Sequence, residues 1–360
     1  MRYLLRHRVV RRTVTIPVVL TLLVLTAALV PVVVVISGPF ALRPRGRGRA
    51  IRFTLFTAVY LGAEAVGLLS AGWLWVRAGL GTRIGAPRHQ DAHYSLLARI
   101  LDRLYAVGST LFGLHLAAPT AVAAGGVGMP QLPATPGSPL LVLSRHAGPG
   151  DSFLLVHALF SLAHRRPRIV LKSTLMLDPL IDIVLSRLPH CFVSPGPEGG
   201  HDAAETIKQL ADTMGPADAL LVFPEGGNFT PRRRLRAIAS LRRRGLRRAG
   251  DRARRLTNVL PAQPAGVFAA IDGAPHADVV FVAHTGLDHL QSVRQVWRGV
   301  PLTRTVEVAW WTIPTQRVPL GEEARLRWLQ DNWAQIDAWI GRSRPASDES
   351  ADAPSPERTG

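Results

Sequence analysis

Two short stretches carry residue types able to do chemistry together. The first is Ser144-Arg145-His146-Ala147-Gly148-Pro149-Gly150-Asp151. An imidazole that takes up a proton needs a partner to hold its tautomer and stabilise its charged form. His146 and Asp151, five residues apart, can supply that pair. Gly148, Pro149 and Gly150 can turn the chain between them. The same eight residues also fit a plain polar turn. The second stretch is Phe223-Pro224-Glu225-Gly226-Gly227-Asn228-Phe229-Thr230. Its glycines let backbone approach a ligand closely. The Glu225 carboxylate could bind a hydroxyl, or brace the loop by accepting backbone N–H groups.

Both stretches must be positioned by regular elements. The β-formers Leu140 to Leu143 lead into the first. An apolar run from Phe153 to Leu162 leads out, with Asp151 and Ser152 placed as helix N-caps. Strand patterns fall at 139–144, 168–172, 190–194, 219–223, 258–262, 279–283 and 305–311. Helical patterns fall at 152–164, 177–187, 203–214, 234–255 and 321–341. Short apolar strands separated by helices predict an α/β domain with a largely parallel sheet covered by helices. Ligands in such sheets sit at the carboxyl ends of strands. His146 and Glu225 each follow a strand end, so both can open onto one rim. Helix 321–341, with Leu326, Leu329, Trp333, Ile336 and Ile340 on one face, reads as ordinary packing.

The chain has 360 residues, is 47% hydrophobic and carries a formal charge of +18. Arg dominates the basic residues; Lys occurs only at 172 and 208. The charge favours anionic partners. The single cysteine, Cys191, excludes an internal disulfide and a cysteine-rich zinc site, and a strand core suits it. Twelve arginines lie between 232 and 255. They fit a solvated helix face or, preferably, a patch on an anionic membrane surface. Nucleic acid is not expected as a partner, since no zinc-finger, RNP-like or P-loop pattern is present.

Upstream, residues 1–88 form a basic membrane region. Apolar segments at 14–36 and 53–76 are flanked by Arg on the tail and on the connecting loop. Both are long enough to cross a bilayer. Pro17 and Pro31 should bend the first, and Glu64 is costly at a bilayer centre. Arg clusters on both sides resist a simple positive-inside orientation. A shallow hairpin in one leaflet would keep every cluster on one anionic face. Residues 91–116 read as an amphipathic linking helix, 117–138 as loop, 89–342 as the main domain and 343–360 as a disordered tail.

The two motifs, in this order, resemble those of the membrane glycerolipid acyltransferases, the superfamily of 1-acylglycerol-3-phosphate and lysophospholipid acyltransferases. His-x4-Asp is matched by His146 and Asp151, and Phe-Pro-Glu-Gly by Phe223 to Gly226. An intermediate block is matched by Lys172, Pro179 and Cys191-Phe192-Val193-Ser194, and a final one by Val259-Leu260-Pro261. The resemblance covers roughly residues 90–300. The N-terminal segments are similar to the membrane-seated two-helix element of some bacterial members. The resemblance implies acyl transfer from acyl-CoA or acyl carrier protein to a lysophospholipid hydroxyl, without a metal or cofactor. It places the chain at a bacterial cell membrane with the catalytic domain on the cytoplasmic face. His146 would be the general base and Asp151 its orienting partner. Glu225 and Gly226 would shape the acceptor site. Two departures stand out: Gly227-Asn228 replaces the family's Thr-Arg, and Ser194-Pro195 stands where another Arg is expected. Those arginines are associated with the acceptor's phosphate. Arg145, Lys172, Arg232, Arg233 and Arg234 are candidates to replace them, with Arg145 or the Gly148–Gly150 amides as oxyanion donors.

Two other readings make different demands. A serine hydrolase needs a Gly-x-Ser-x-Gly elbow, which is missing around Ser144 and Ser152. A membrane-anchored Arg-rich binding module would need no catalytic pair.

Overall fold

The computed structural model of the chain describes residues 7–41, 48–117, 120–121, 137–148, 150–193, 199–288, 290, 293–302 and 305–343. Ser194-Pro195, most of the 117–138 loop and the tail beyond 343 lie outside the described residues, as does Pro149.

The central strand of the sheet leads directly to His146. It is β3, Leu140–Ser144, following two short strands, β1 at His115–Leu116 and β2 at Thr120–Ala121. After it come β4 (Arg166–Lys172), β5 (Cys191–Val193), β6 (Asp218–Val222), β7 (Asp278–Thr285) and β8 (Thr305–Ile313). Among the described residues these form one sheet, ordered β1-β8-β7-β3-β6-β4-β5, with β2 also pairing β8. Strands β3 to β7 run parallel, whereas β8 is antiparallel to β7. The register sets Leu143 beside Val222 on one side and Phe281 on the other. The ends of β3, β4, β6 and β7 therefore share one edge.

Every residue of β3 is buried, because helices cover both faces. Alternation divides its side chains between two cores. Leu141 and Leu143 face a core with Phe281, Val267 and Trp333, while Leu140 and Val142 face another with Leu155, Ile169 and Trp310.

Eleven α-helices are described. The first three are α1 (Arg8–Ala41), α2 (Arg49–Arg77) and α3 (Pro87–Phe112). Around the sheet lie α4 (Asp151–Ser161), α5 (Pro179–Leu185), α6 (Gly199–Asp212), α7 (Pro231–Arg243), α8 (Arg247–Arg255), α9 (Pro264–Gly273), α10 (Val293–Gly299) and α11 (Glu322–Ser343). Several expectations need correction. Residues 258–262 form no strand; they are a loop held by α11. The Asp337 carboxylate accepts the Asn258 N–H at 2.6 Å, and the Trp333 indole N–H donates to the Leu260 carbonyl at 2.8 Å. The Arg-rich stretch is two helices, α7 and α8, separated at Gly245, whose φ of 75° favours glycine. The N-cap of α4 is Gly150, with Asp151 already in the first turn. Helix α1 runs through Pro17 and Pro31 and extends beyond its apolar stretch at both ends. Cys191 opens β5 and is buried, as expected, and burial pushes its thiol up to about 11.

Helices α1 and α2 are each long and apolar enough to cross a membrane. Both are tied to the α/β domain. Arg11 and Arg12 of α1 donate to opposite oxygens of Asp182 at 2.6 and 2.7 Å. At the start of α2, Arg49 donates to the Val300 and Arg298 carbonyls, each at 2.8 Å. Further along α2, Tyr60 donates to Asp178, and Glu64 accepts the Leu180 N–H at 3.3 Å. Near its end, the Ala71 carbonyl accepts from Arg187 at 2.7 Å. Glu64 is buried against the domain. Helix α2, about 40 Å long by its residue count, thus lies lengthwise on the domain.

Candidate active site

Two residues beyond β3, the chain turns and His146 emerges at the sheet edge. Its ring lies on Phe223, with centroids 4.5 Å apart. Both Asp151 oxygens stand 2.9 Å from His146 Nδ1. That places the Nδ1 proton on the Asp151 side and leaves the Nε2 lone pair for a substrate. Among the described residues, none hydrogen-bonds Nε2. The His146 side chain is 13% exposed and Asp151 1%.

Asp151 also fixes the turn. It accepts the N–H groups of Ala147, Gly148 and Ser152 at 2.6, 3.2 and 2.6 Å. Burial acts against this carboxylate, but the His146 hydrogen bond and neighbouring histidine charge outweigh it and hold its pKa below the ordinary range. Asp151 therefore stays ionised across the neutral range and can stabilise an imidazolium.

The second motif braces the first. Glu225 Oε1 accepts the His146 N–H at 2.8 Å, and Oε2 accepts the Leu260 N–H at 2.9 Å. The Phe229 N–H donates to the His146 carbonyl at 2.6 Å. Of the two roles open to Glu225, the structure gives it the brace: both oxygens are committed to backbone and the side chain is buried. Burial raises its pKa to about 7, against the pull of the Leu260 and His146 N–H groups. Gly226 adopts φ 67°, and a Cβ there would come within 2.6 Å of Gln263 Nε2.

The candidate cations part company. Arg145 is a correction: its side chain is fully buried. It donates to Asp288 at 2.5 Å and to the His284 carbonyl at 2.8 Å. A guanidinium so enclosed serves packing, not phosphate or an oxyanion. The Gly148 amide is likewise committed, to Asp151. Lys172 is exposed at the carboxyl end of β4, two strands from β3 on the same edge. Arg232 is exposed in the first turn of α7. Arg233 reaches back, donating to the Asn228 carbonyl at 3.1 Å. A Cβ on Gly227 would lie 2.9 Å from Arg233 Nη1. The guanidinium therefore rests on the Gly227-Asn228 backbone, beside the position where the family's Arg is replaced. Ser144 is fully buried, and Ser152 Oγ points to Asp151 at 3.3 Å, so neither is set as a nucleophile.

Several contributors escaped the sequence reading. His284, near the end of β7, approaches Asp151 Oδ2 at 3.8 Å. Its place in an apolar strand was the available signal. Trp333 and Asp337 hold the loop that presents Leu260, but a helix with one apolar face carries no sign of that task.

Two apolar cavities adjoin the site. One, about 290 Å³, has Asp151 and His284 in its wall beside Val142, Leu155 and Val308. The other, about 300 Å³, runs from Gly148 and Gly150 past Phe153 to Phe56 of α2. Tyr105, Leu154 and Leu287 line both.

A family model described as Acyltransferase matches residues 128–270, which include His146, Asp151 and Glu225. No curated protein and no solved structure matches the chain.

Proposed function

We propose that the chain, whose residues 128–270 match the Acyltransferase family, belongs to the glycerolipid acyltransferase superfamily and transfers an acyl group from a thioester to the free hydroxyl of a lysophospholipid. The donor is acyl-CoA or acyl carrier protein, and the acceptor lysophosphatidate or a related lysolipid. One observation carries this reading: Asp151 takes Nδ1 of His146 and leaves Nε2 at the carboxyl edge of the sheet.

Nε2 removes the proton of the acceptor hydroxyl. The oxygen attacks the thioester carbonyl carbon, forming the C–O bond and a tetrahedral oxyanion. Collapse breaks the C–S bond, and the proton on Nε2 passes to the departing thiolate. The products are an ester and a thiol, and the histidine returns to its starting state. Asp151 stabilises the imidazolium between those steps. Arg233, with Lys172 and Arg232 on the same rim, supplies positive charge for the acceptor phosphate. The apolar cavities beside Asp151 and Gly148 suit hydrocarbon chains.

The membrane reading also sharpens. Arg11 and Arg12 at one end of the hairpin, and Arg49 at the other, are both bonded to one α/β domain. A hairpin crossing the bilayer would carry one of those ends away from the domain. We infer that α1 and α2 lie along one membrane face, burying side chains such as Leu25, Ile36, Leu69 and Trp73, all exposed on the protein. The exposed arginines of α7 and α8 add attraction to anionic lipid. A bacterial membrane and its cytoplasmic face fit this arrangement.

The test is turnover by membranes containing the chain, given labelled acyl-CoA and a panel of lysolipids. Labelled diacyl product from lysophosphatidate or a related lysolipid is expected. Failure of every acceptor, with acyl-CoA or acyl carrier protein as donor, would refute the assignment. Lipid binding without thioester consumption would point instead to a non-catalytic Arg-rich module.

A further inference from the structure

The cavity behind Asp151 is walled by apolar side chains, yet two of its residues hold buried polar atoms without partners. His284 Nδ1 and Trp310 Nε1 have no hydrogen-bond partner among the described residues. His284 is 2% exposed and Trp310 7%, and both line the cavity. A buried polar atom left unpaired keeps its full desolvation penalty, so a ligand that pairs it gains affinity there.

Their chemistry is complementary. His284 Nε2 lies 3.2 Å from the Arg145 carbonyl, which only accepts. The ring proton is therefore on Nε2, and Nδ1 presents a lone pair. Burial, with the Arg145 charge, lowers the His284 pKa to about 4, so the ring stays neutral. The indole Nε1 only donates. One acceptor and one donor thus remain. Strand register brings them together: His284 stands opposite Val308, and Val282 opposite Trp310. His284 and Trp310 are diagonal neighbours on one face of the β7–β8 pair, about 7–8 Å apart by backbone position.

A hydroxyl can satisfy both groups, accepting from the indole and donating to the imidazole. A lone water needs two to four polar partners and would leave the hydrocarbon wall uncovered. A hydroxyl carried on an alkyl chain brings its own apolar body to fill that wall. We propose that this cavity selects an acyl chain bearing a hydroxyl, bridged between Trp310 Nε1 and His284 Nδ1. The inference rests on the acyl-transfer reading only in naming the chain as the donor's acyl group. His284 and Trp310 are then specificity-determining residues.

The test uses the full chain in detergent micelles with lysophosphatidate as acceptor. Dodecanoyl-CoA competes with hydroxydodecanoyl-CoA isomers whose hydroxyl is moved along the chain. At one hydroxyl position, kcat/KM should exceed that of the plain chain at least about ten-fold, since a site built for a hydroxyl rejects the analogue lacking it. Trp310→Phe and His284→Phe should each bring that ratio to within about two-fold of one. Equal use of plain and all hydroxylated chains by the wild-type protein would overturn the proposal, leaving the pair to a bound water. A second measurement does not require turnover: displacement of labelled dodecanoate by free hydroxydodecanoates. The same positional preference is expected there, and indifference to the hydroxyl would again overturn it. Preferential binding with no thioester consumed by any acceptor would support the cavity's selectivity while refuting acyl transfer.

Discussion

Two carboxylates, Asp151 and Glu225, sit on the same sheet edge, each nearly sealed from solvent and each gathering backbone N–H groups of a loop. Asp151 gathers three N–H groups and an imidazole, and its pKa falls below the ordinary range. Glu225 gathers two N–H groups and, among the described residues, no side-chain hydrogen bond to its carboxylate, and burial raises it to about 7. On the acyl-transfer proposal, the difference separates a partner in proton transfer from a brace. Asp151 meets the His146 ring itself, at Nδ1. Glu225 acts on the same histidine only through its backbone.

The largest effect should come from the ring itself. His146→Ala should lower turnover by about 10³–10⁴, within the upper range for a positioned base. Circular dichroism should be unchanged, because Ala147 and Glu225 still hold the backbone. More than a tenth of wild-type turnover would remove His146 from the mechanism. Asp151→Asn should follow, at about 10² or more, since the amide cannot stabilise an imidazolium and its NH2 group cannot accept the turn's N–H groups. Its kcat should fall much more than its KM rises.

Glu225→Gln sharpens the comparison. Gln keeps one acceptor but sets an NH2 against the other backbone N–H. A loss of about ten- to hundred-fold is expected, together with a lower melting temperature. A loss as deep as that of Asp151→Asn, with stability unchanged, would make Glu225 a catalytic group and end the distinction. The pH dependence has two opposite limbs. Glu225 has a raised folded pKa, so its contribution to stability is present below the ordinary carboxyl value and is lost as pH rises through about 7. Activity should move the other way, because only the carboxylate accepts both N–H groups. Denaturant titrations and kcat/KM between pH 5 and 8 read both limbs, and Glu225→Gln should flatten them.

The arginines give a smaller contrast of the same kind. Arg233→Ala should raise KM for an anionic lysolipid about ten-fold with kcat largely kept, a pattern for lost ground-state binding. Arg145→Met should instead destabilise the fold by about 3–5 kcal/mol, as expected when one partner of a buried ion pair is removed. A selective KM effect from Arg145 would reverse their assignments.

Much of the architecture was legible because it rests on local patterns. Apolar runs such as Leu140–Leu143 marked the strands, and glycine with charge marked the strand-end loops. Parallel pairing then brought both motifs to one edge, and the acyltransferase family match spans them. What stayed hidden depends on burial and on distant partners. Arg145, next to His146 in sequence, reads as a site cation until its guanidinium is found against Asp288, 143 residues away. The Asn258–Leu260 run has the composition of a strand, but Asp337 and Trp333 take the N–H and C=O groups a neighbouring strand would have used. His284 showed only as a polar residue in an apolar strand, because the fold alone sets it within 3.8 Å of Asp151.

The smallest effect should come from the hairpin's anchor. Arg11 and Arg12 share Asp182, whose side chain is 2% exposed, and the exposed apolar face of α1 lies beyond that contact. If the hairpin lies along one membrane face, Asp182→Asn should loosen its seat on the domain without releasing the protein from lipid. Sedimentation with anionic vesicles should stay near wild type, while turnover on membrane-borne lysolipid falls about two- to five-fold. Turnover on the same lysolipid in detergent micelles should barely change. Release from vesicles would show that this ion pair, rather than the apolar face, holds the protein at the membrane. An equal loss in vesicles and micelles would place the effect in the packing of α5 on the domain rather than in the hairpin's alignment with the bilayer.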